Sequence, residues 1–441
     1  MTDRIIVAGG GHGGIVAAAH LANAGYDVTV YEKNTRENMG WDWTDIFDKK
    51  GFTMAGMEMP APEKYKLKTN MTFFSPNGKV KLTQHTPEDE LEIQMERREI
   101  YNHIIAYAES CGVKFEYGVN IEGPIMLGNR VVGIKTDKGD QIAALVIDAA
   151  GINSPVRRNL PAHLGIQNEV EENAQFYVYR GFYNKTAETE EDKWQLHLLY
   201  ENILGICWVA AEENYTDVLI GRFEPFDMEE VERTLNSLRK ESPALGTELV
   251  RGGQFVNIPV RHPLAVLVAD GYAAIGDSAF MTVPIIGSGI ANSLKAGVVL
   301  ANAVKADING CYSAATLWKY QRDFYKQYGN GLAPLGAIRV MLTKLEDGDL
   351  DYIFENGILN ADDMTMGADS NNLKAFMSGF DAVGLKDKAL ALKGNIPVAK
   401  KIIRMGTQIG EAVAATAAMP ATYDLDKIKK WAKLYDGCFK G

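Results

Sequence analysis

The sequence predicts a mixed α/β (α+β) fold in three parts: a Rossmann-like nucleotide-binding domain, an antiparallel β-sheet domain inserted into it, and a helical C-terminal region. Three observations predict it. The chain opens on a strand–glycine loop–helix–strand unit, "RIIVAGGGHGGIVAAAHLANAGYDVTVYE". Two later excursions are rich in strand-like runs. The end of the chain is rich in Gly, Ala and Met, with helical spacing.

The opening unit is justified part by part. "RIIVAG" is a short β-branched run, suited to a strand buried on both faces. Gly9-x-Gly11-x-x-Gly14 follows, then "IVAAAHLANAG", a helix of small residues that ends at Gly25. Gly9 allows the tight turn, Gly11 lets a phosphate reach the backbone, and Gly14 lets the helix pack close to the sheet. Gly13 belongs to the same loop, and His12 within it is expected to face a pyrophosphate. The helix start supplies free N–H groups for that anion. The second strand, "DVTVYE", ends at Glu32, beside Lys33. Glu32 can accept hydrogen bonds from both ribose hydroxyls of an adenosine, and it repels a 2′-phosphate. The combination of strand, glycine loop, helix and acid reads as a dinucleotide site.

A second stretch decides which dinucleotide. "DGYAAIGDSAFMTVPIIGSGIANSLKAGVVLANAV" reads as a strand carrying Asp277 at its end, a loop with Pro284, and a long helix introduced by Gly287 and Gly289. Such a carboxylate can hold the ribityl chain of a flavin. N–H groups around Ser288, Gly289 and Ile290 can face the flavin N1–C2=O edge, where negative charge gathers on reduction. NAD has no ribityl chain, so the expected cofactor is FAD.

The pair G-x-G-x-x-G…E and G-D-x-A…P-x-x-G-x-G-I resembles the FAD-dependent para-hydroxybenzoate-hydroxylase flavoprotein superfamily. "MERREIYNHIIAYAESCGVKFEYGVNI" is similar to its R-x-E-L segment. That implies Arg97 reaching the flavin and Ile121 meeting adenine through its backbone. "VIDAAGINSPVRR" resembles A-D-G-x-x-S-x-x-R, with Gly151, Ser154 and Arg157 in place and Ala150 where the superfamily has Asp. Within the superfamily the chain resembles the geranylgeranyl reductase-like family. "LLYENILGICWVAAEENYTDVLIG" matches its G-Y-x-W-x-F-P segment through Trp208, although Ala210-Ala211 replace Phe-Pro. "GGQFVNIPVRHPLAVLVADGYAAIGDSA" and "MLTKLEDGDLDYIFENGIL" also resemble that family. Many archaeal relatives carry a cysteine soon after the second strand. Here "MGWDWTDIFDKKGF" has none, and Trp41 and Trp43 stand where flavin and substrate should meet.

The nucleotide-binding domain is expected in three pieces, 1–55, 95–160 and 265–330. Residues 56–94 and 161–264 should form one β-sheet over the flavin, and 331–441 the helical region. Asn77-Gly78 predicts a hairpin turn. "MEEVERTLNSLRK" predicts a helix beside the sheet, and "GNRVVGIKTDKGDQIAALVIDAAG" a meander that turns at Gly139-Asp140. Gly406 and Gly410 form a GxxxG that predicts close helix packing. Met341, Met364, Met366, Met377 and Met405 fill irregular apolar space or line an apolar substrate tunnel.

The bulk numbers agree with a globular chain: 441 residues, 46% hydrophobic, 23% charged, net charge −11. A net negative chain disfavours nucleic acid as a partner. Four scattered cysteines without a CxxC give no zinc or redox pair, and the seven histidines show no metal-ligand spacing. No metal site is predicted. A reduced, cytoplasmic setting fits, and a lipid-like substrate would bring the protein to the membrane periphery.

The family implies an FAD-dependent oxidoreductase that reduces carbon–carbon double bonds of an apolar, isoprenoid-like substrate. Trp43 and Trp208 are the candidate cavity residues. No acid–base pair is nominated as catalytic. With no second GxGxxG, NAD(P)H docks transiently or a protein donor supplies electrons. The alternative is an NAD(P)H-dependent flavin monooxygenase on the same fold.

Overall fold

The computed structural model describes residues 3–169, 171, 174–188, 193–366 and 385–440. The opening unit folds as its pattern dictates. Strand β1 (Arg4–Ala8) leads through the glycine loop into α1 (His12–Ala22), and β2 (Asp27–Glu32) follows. Ile5 to Ala8 are fully buried, because helices cover both faces of a parallel sheet. The central sheet is completed by β8 (Lys114–Tyr117), β12 (Leu145–Asp148), β18 (Val268–Ala269) and β19 (Tyr272–Ala274), in the order β18-β19-β12-β1-β2-β8. β1 pairs in parallel with both β2 and β12. Helix α3 (Arg97–Ser110) packs on α1, and so does α6 (Ile290–Lys305).

Two small sheets flank it. The meander forms β9 (Ile121–Leu127), β10 (Arg130–Thr136) and β11 (Gln141–Ile142), with Gly139 turning at φ +106°. β3 (Thr44–Phe47), β7 (Ile93–Glu96) and β4 (Tyr65–Leu67) form the second, beside the short helix α2 (Lys50–Met54). The four-residue helix α4 (Pro155–Arg158) closes the β12 loop.

The two excursions share one seven-stranded sheet, in the order β17-β13-β16-β15-β14-β5-β6. The first contributes β5 (Thr72–Phe74) and β6 (Lys81–Thr83), an antiparallel hairpin across Asn77-Gly78. The second contributes β13 (Gln175–Lys185), β14 (Trp194–Leu198), β15 (Gly205–Ala211), β16 (Tyr215–Arg222) and β17 (Leu245–Pro259). β5 pairs with β14 in parallel, which joins the excursions. Helix α5 (Met228–Glu241), N-capped by Asp227, buries Val231, Leu235 and Leu238 against the outer face.

The C-terminal region is helical: α7 (Ala314–Phe324), a π turn at Tyr325–Gly329, α8 (Asn330–Leu342), α9 (Asp347–Glu355), α10 (Ala361–Met366), α11 (Leu385–Gly394), α12 (Ile396–Ala417) and α13 (Leu425–Gly437). α12 packs on α8, and α13 on α12 through Trp431, whose indole donates to Ala415 O at 2.7 Å. Among the described residues, no helix is long and apolar enough to cross a membrane. Two expectations are corrected. The strand of the second motif stops at Ala274, and Asp277 lies in a 3-10 turn, Gly276–Ala279. Gly406 and Gly410 do not mediate close packing: nothing lies within 4 Å of where a Cβ would stand at either. The buried stripe of α12 is instead Val398, Gln408, Ile409, Ala412 and Ala415, on the opposite side of the helix.

Candidate functional site

A cavity of about 1420 Å³ runs from the glycine loop to the inner face of the seven-stranded sheet. It exceeds what one small ligand needs. Most of the nominated residues line it.

At one end lie Gly9, Gly11, His12 and Gly13. Gly9 has φ +89°, and a Cβ there would come 2.5 Å from Ala150 Cα. The loop is thus pressed against the end of β12. α1 begins at Gly11 with no side-chain cap and no acid in its first turn, so its first N–H groups are left for a ligand. Gly14 stands apart. It does not line the cavity; a Cβ there would meet Ala149 Cβ at 2.5 Å and Val7 at 2.7 Å, so it serves helix–sheet packing. His12 stacks on Tyr101 with ring centroids 4.5 Å apart. Burial, reinforced by the Arg97 charge, lowers its pKa to about 3.

Glu32 ends β2 at the cavity wall, as does Lys33. One Glu32 oxygen accepts from Gly10 N at 2.8 Å, and the other from the backbone and side-chain amides of Asn34, both at 2.8 Å. The carboxylate is therefore fixed in orientation. Ile121, Ala150 and Gly151 line the neighbouring wall. Ser154 and Arg157 do not reach the cavity. Ser154 caps α4, and Arg157 donates to the carbonyls of Ile152, Gln167 and Asn168.

Asp277 is exposed to the cavity. Desolvation pushes its pKa up, against the Thr282 hydroxyl that donates to it at 3.1 Å. The loop Pro284–Gly289 curls over, with Gly287 N bonding Val283 O at 2.9 Å and the Ser288 hydroxyl donating to Ile46 O at 3.3 Å. α6 starts at Gly289, again without a side-chain cap or a first-turn acid, and Ile290 faces the cavity. Two uncapped helix starts thus aim into one cavity, flanked by two carboxylates. This donor and acceptor set fits an extended FAD.

Arg97 opens α3. Its Nε donates to Asp45 at 2.7 Å, and its guanidinium lies 4.5 Å over Trp41 and 5.6 Å over Trp43. Trp43 is buried against the sheet and Trp41 is half-exposed at the rim; both line the cavity. Beyond them the sheet presents Phe73, Leu196, Leu198, Ile206, Trp208, Val256 and Ile258. Met364 and Met405 line this apolar arm, whereas Met341 is buried and does not line it. Met377 and the side chain of Met366 lie outside the described residues.

Two groups escaped the sequence reading. Asp148, fully buried at the end of β12, accepts from Ser154 Oγ (2.6 Å), Tyr272 OH (2.8 Å), Ser278 Oγ (3.0 Å), Ala150 N and Arg157 N (both 3.1 Å). It ties the 150s loop to the Asp277 turn. Its signal is a carboxylate closing a central apolar strand, "LVID". The second group is Arg180 with Asp217, adjacent strands of the sheet, bonded at 2.9 and 2.5 Å. Arg180 also donates to the carbonyl and hydroxyl of Thr44 and lies 5.3 Å from the Trp43 ring and 5.0 Å from the Trp208 ring. Only the fold brings residues 44 and 180 together.

Fold and cavity define the class by its architecture: a Rossmann-like domain and a roofing β-sheet enclose one chamber. Residues 7–54 match the family described as NAD(P)-binding Rossmann-like domain. The chain is similar to geranylgeranyl reductases. It is 25% identical over 391 residues to a digeranylgeranylglycerophospholipid reductase of Sulfolobus acidocaldarius, covering 84% of each chain. A geranylgeranyl bacteriochlorophyll reductase-like structure from Thermoplasma acidophilum superposes with a TM-score of 0.72 at 20% identity, over 90% of this chain and 99% of that one. A probable FAD-dependent monooxygenase from Pseudomonas aeruginosa shares the fold at a TM-score of 0.59 and 19% identity, over 79% and 98%.

Proposed function

We propose that the protein is an FAD-dependent reductase of carbon–carbon double bonds in an apolar, isoprenoid-like substrate. The observation that carries this reading is the continuity of the chamber. Its dinucleotide end, at Glu32 and the start of α1, opens without a wall into the apolar arm beneath the sheet. The names of the relatives above support the substrate class.

In this reading Glu32 holds the ribose, the first turn of α1 the pyrophosphate, and Ile121 the adenine side. Asp277 holds the ribityl chain, Arg97 approaches the ring, and the Pro284–Ile290 segment faces its N1–C2=O edge. Lys33, Ala150 and Gly151 complete the adenosine side. FAD, when bound, supplies hydride chemistry. The chain orients the alkene between Trp43, Trp208 and the sheet, and its aliphatic wall excludes water. The positive end of α6 stabilises negative charge developing at its start. The electron source is NAD(P)H docking transiently or a donor protein.

The test is anaerobic. Protein loaded with FAD and chemically reduced is mixed with a lipid bearing geranylgeranyl chains. Return of the oxidised flavin absorption without oxygen supports the reading. Reoxidation only on admitting oxygen, with oxygen entering the product, supports the monooxygenase alternative instead.

A further inference from the structure

Helix α12 has two apolar faces. One is buried on α8 and the cavity, where Met405 lines the wall. The other faces solvent. Ile396, Ile403 and Val413 are 56%, 66% and 45% exposed, and Gly406, Gly410, Ala414 and Ala417 continue the stripe between and beyond them. At 100° per residue these positions fall on one side of a helix about 33 Å long. The exposed stripe lies beside a polar edge of Lys400, Arg404, Thr407 and Glu411, and an apolar stripe of this length is ordinarily covered. The outer face of α12 therefore lacks its partner among the described residues.

The charge around it says what that partner is. Residues 385–440 contain eleven Lys and Arg against five Asp and Glu, in a chain whose net charge is −11. This segment is thus +6 and the rest of the chain −17. Lys400 and Arg404 are exposed along one edge of the stripe on α12, with Glu411 the exposed acid on that edge. Lys427, Lys429, Lys430 and Lys433 are exposed on the adjoining α13, next to Leu434, which is 58% exposed. Exposed aliphatic side chains rimmed by cations match an anionic bilayer surface, with the apolar groups entering the acyl boundary and the lysines meeting the headgroups. A second copy of the chain would set the same cations against each other.

We propose that α12 and α13 dock the protein on an anionic lipid surface. The placement gives an apolar substrate a short way in, because the inner side of α12 lines the cavity. The docking surface does not depend on the redox reading, and its test needs no turnover.

The FAD-loaded full chain is sedimented with vesicles of phosphatidylcholine, with or without about 30 mol% phosphatidylglycerol. The proposal expects binding to the anionic vesicles alone, released as salt approaches about 1 M and the Debye length falls to about 3 Å. Ile403→Glu should weaken vesicle binding at least about tenfold, as expected for one buried isoleucine lost. Lys429→Glu with Lys430→Glu should shift binding to lower salt. Both variants should keep wild-type FAD content and melting temperature, because neither site is buried. Equal binding to neutral vesicles, or none to anionic ones, overturns the proposal. So does a wild-type dimer that Ile403→Glu converts to monomer while vesicle binding is unchanged. That result makes the face an interface between copies.

Discussion

At the scale of single residues, two carboxylates that line the cavity are held differently. Glu32 is held from both oxygens, so it presents one rigid acceptor edge to the cavity. Asp277 is less supported: one hydroxyl bond, and desolvation that raises its pKa. Ligand hydroxyls would supply the donors the protein does not. Asp277→Ala should therefore weaken FAD binding at least about tenfold, read by titrating apo-protein with FAD; unchanged affinity removes Asp277 from the site. His12 carries the opposite expectation. Its ring is neutral down to about pH 3, so His12→Gln should leave FAD affinity between pH 5 and 8 unchanged in its pH dependence. A loss that grows toward acid pH would show that the ring carries charge after all. Asp436, on the last helix, gives a stability prediction. Burial raises its pKa to about 6, with Arg261 opposing. A raised carboxyl pKa contributes stability below the unfolded value, and that stability is lost as pH rises through about 6. Its side chain is still 38% exposed, so screening holds the effect to about 1 kcal/mol. Asp436→Asn should raise the melting temperature at pH 7 and leave it unchanged at pH 3.5.

At the scale of elements, the hairpin β5–β6 isolates a backbone effect. Gly78 has φ +69° with open space around it. Gly78→Ala should cost about 1 kcal/mol through the left-handed backbone alone, and Gly78→Asn should cost less; a calorimetric melt of both variants measures the difference. That turn was legible in sequence because Asn-Gly between alternating runs has one cheap conformation. So were the β1–α1–β2 unit and the long helix after Gly289, since each depends on neighbouring residues only. Asp277, nominated for the site, lines the cavity from a 3-10 turn and not from the expected strand end, because "YAAIGD" gives no local mark of where pairing stops. The GxxxG of α12 misled for a related reason. Small residues permit close approach but do not say which side of a helix finds a partner. Asp148 and the Arg180–Asp217–Thr44 clamp were invisible, because their meaning lies in contacts across long stretches of chain. The clamp carries its own expectation. Arg180→Met leaves Asp217, which is fully buried, without its cation. Loss of such a buried pair costs about 3–5 kcal/mol, so urea unfolding should show that loss, with restoration in the double variant Arg180→Met, Asp217→Leu.

At the scale of the whole molecule, the two excursions matter because they return as one sheet. Separately, β5–β6 is a marginal hairpin and β13–β17 an open sheet. Joined through β5 and β14, they roof the chamber that the nucleotide-binding domain floors. Arg180 ties roof to floor at Thr44, and Arg251 adds a second tie to Glu96 at 2.8 and 2.9 Å. The tryptophans of the β2–β3 segment are thereby held where the apolar arm meets the glycine-loop end of the cavity. No cysteine stands there, so any proton delivered to the substrate comes from water or another group. The central claim is double-bond reduction in this chamber. It is tested most directly by mass spectrometry of a geranylgeranyl lipid after anaerobic incubation with the reduced, FAD-loaded protein. The account predicts products heavier by two hydrogens for each bond reduced, in step with flavin reoxidation. An unchanged lipid while the flavin stays reduced, or a product that gains oxygen when air is admitted, would contradict it.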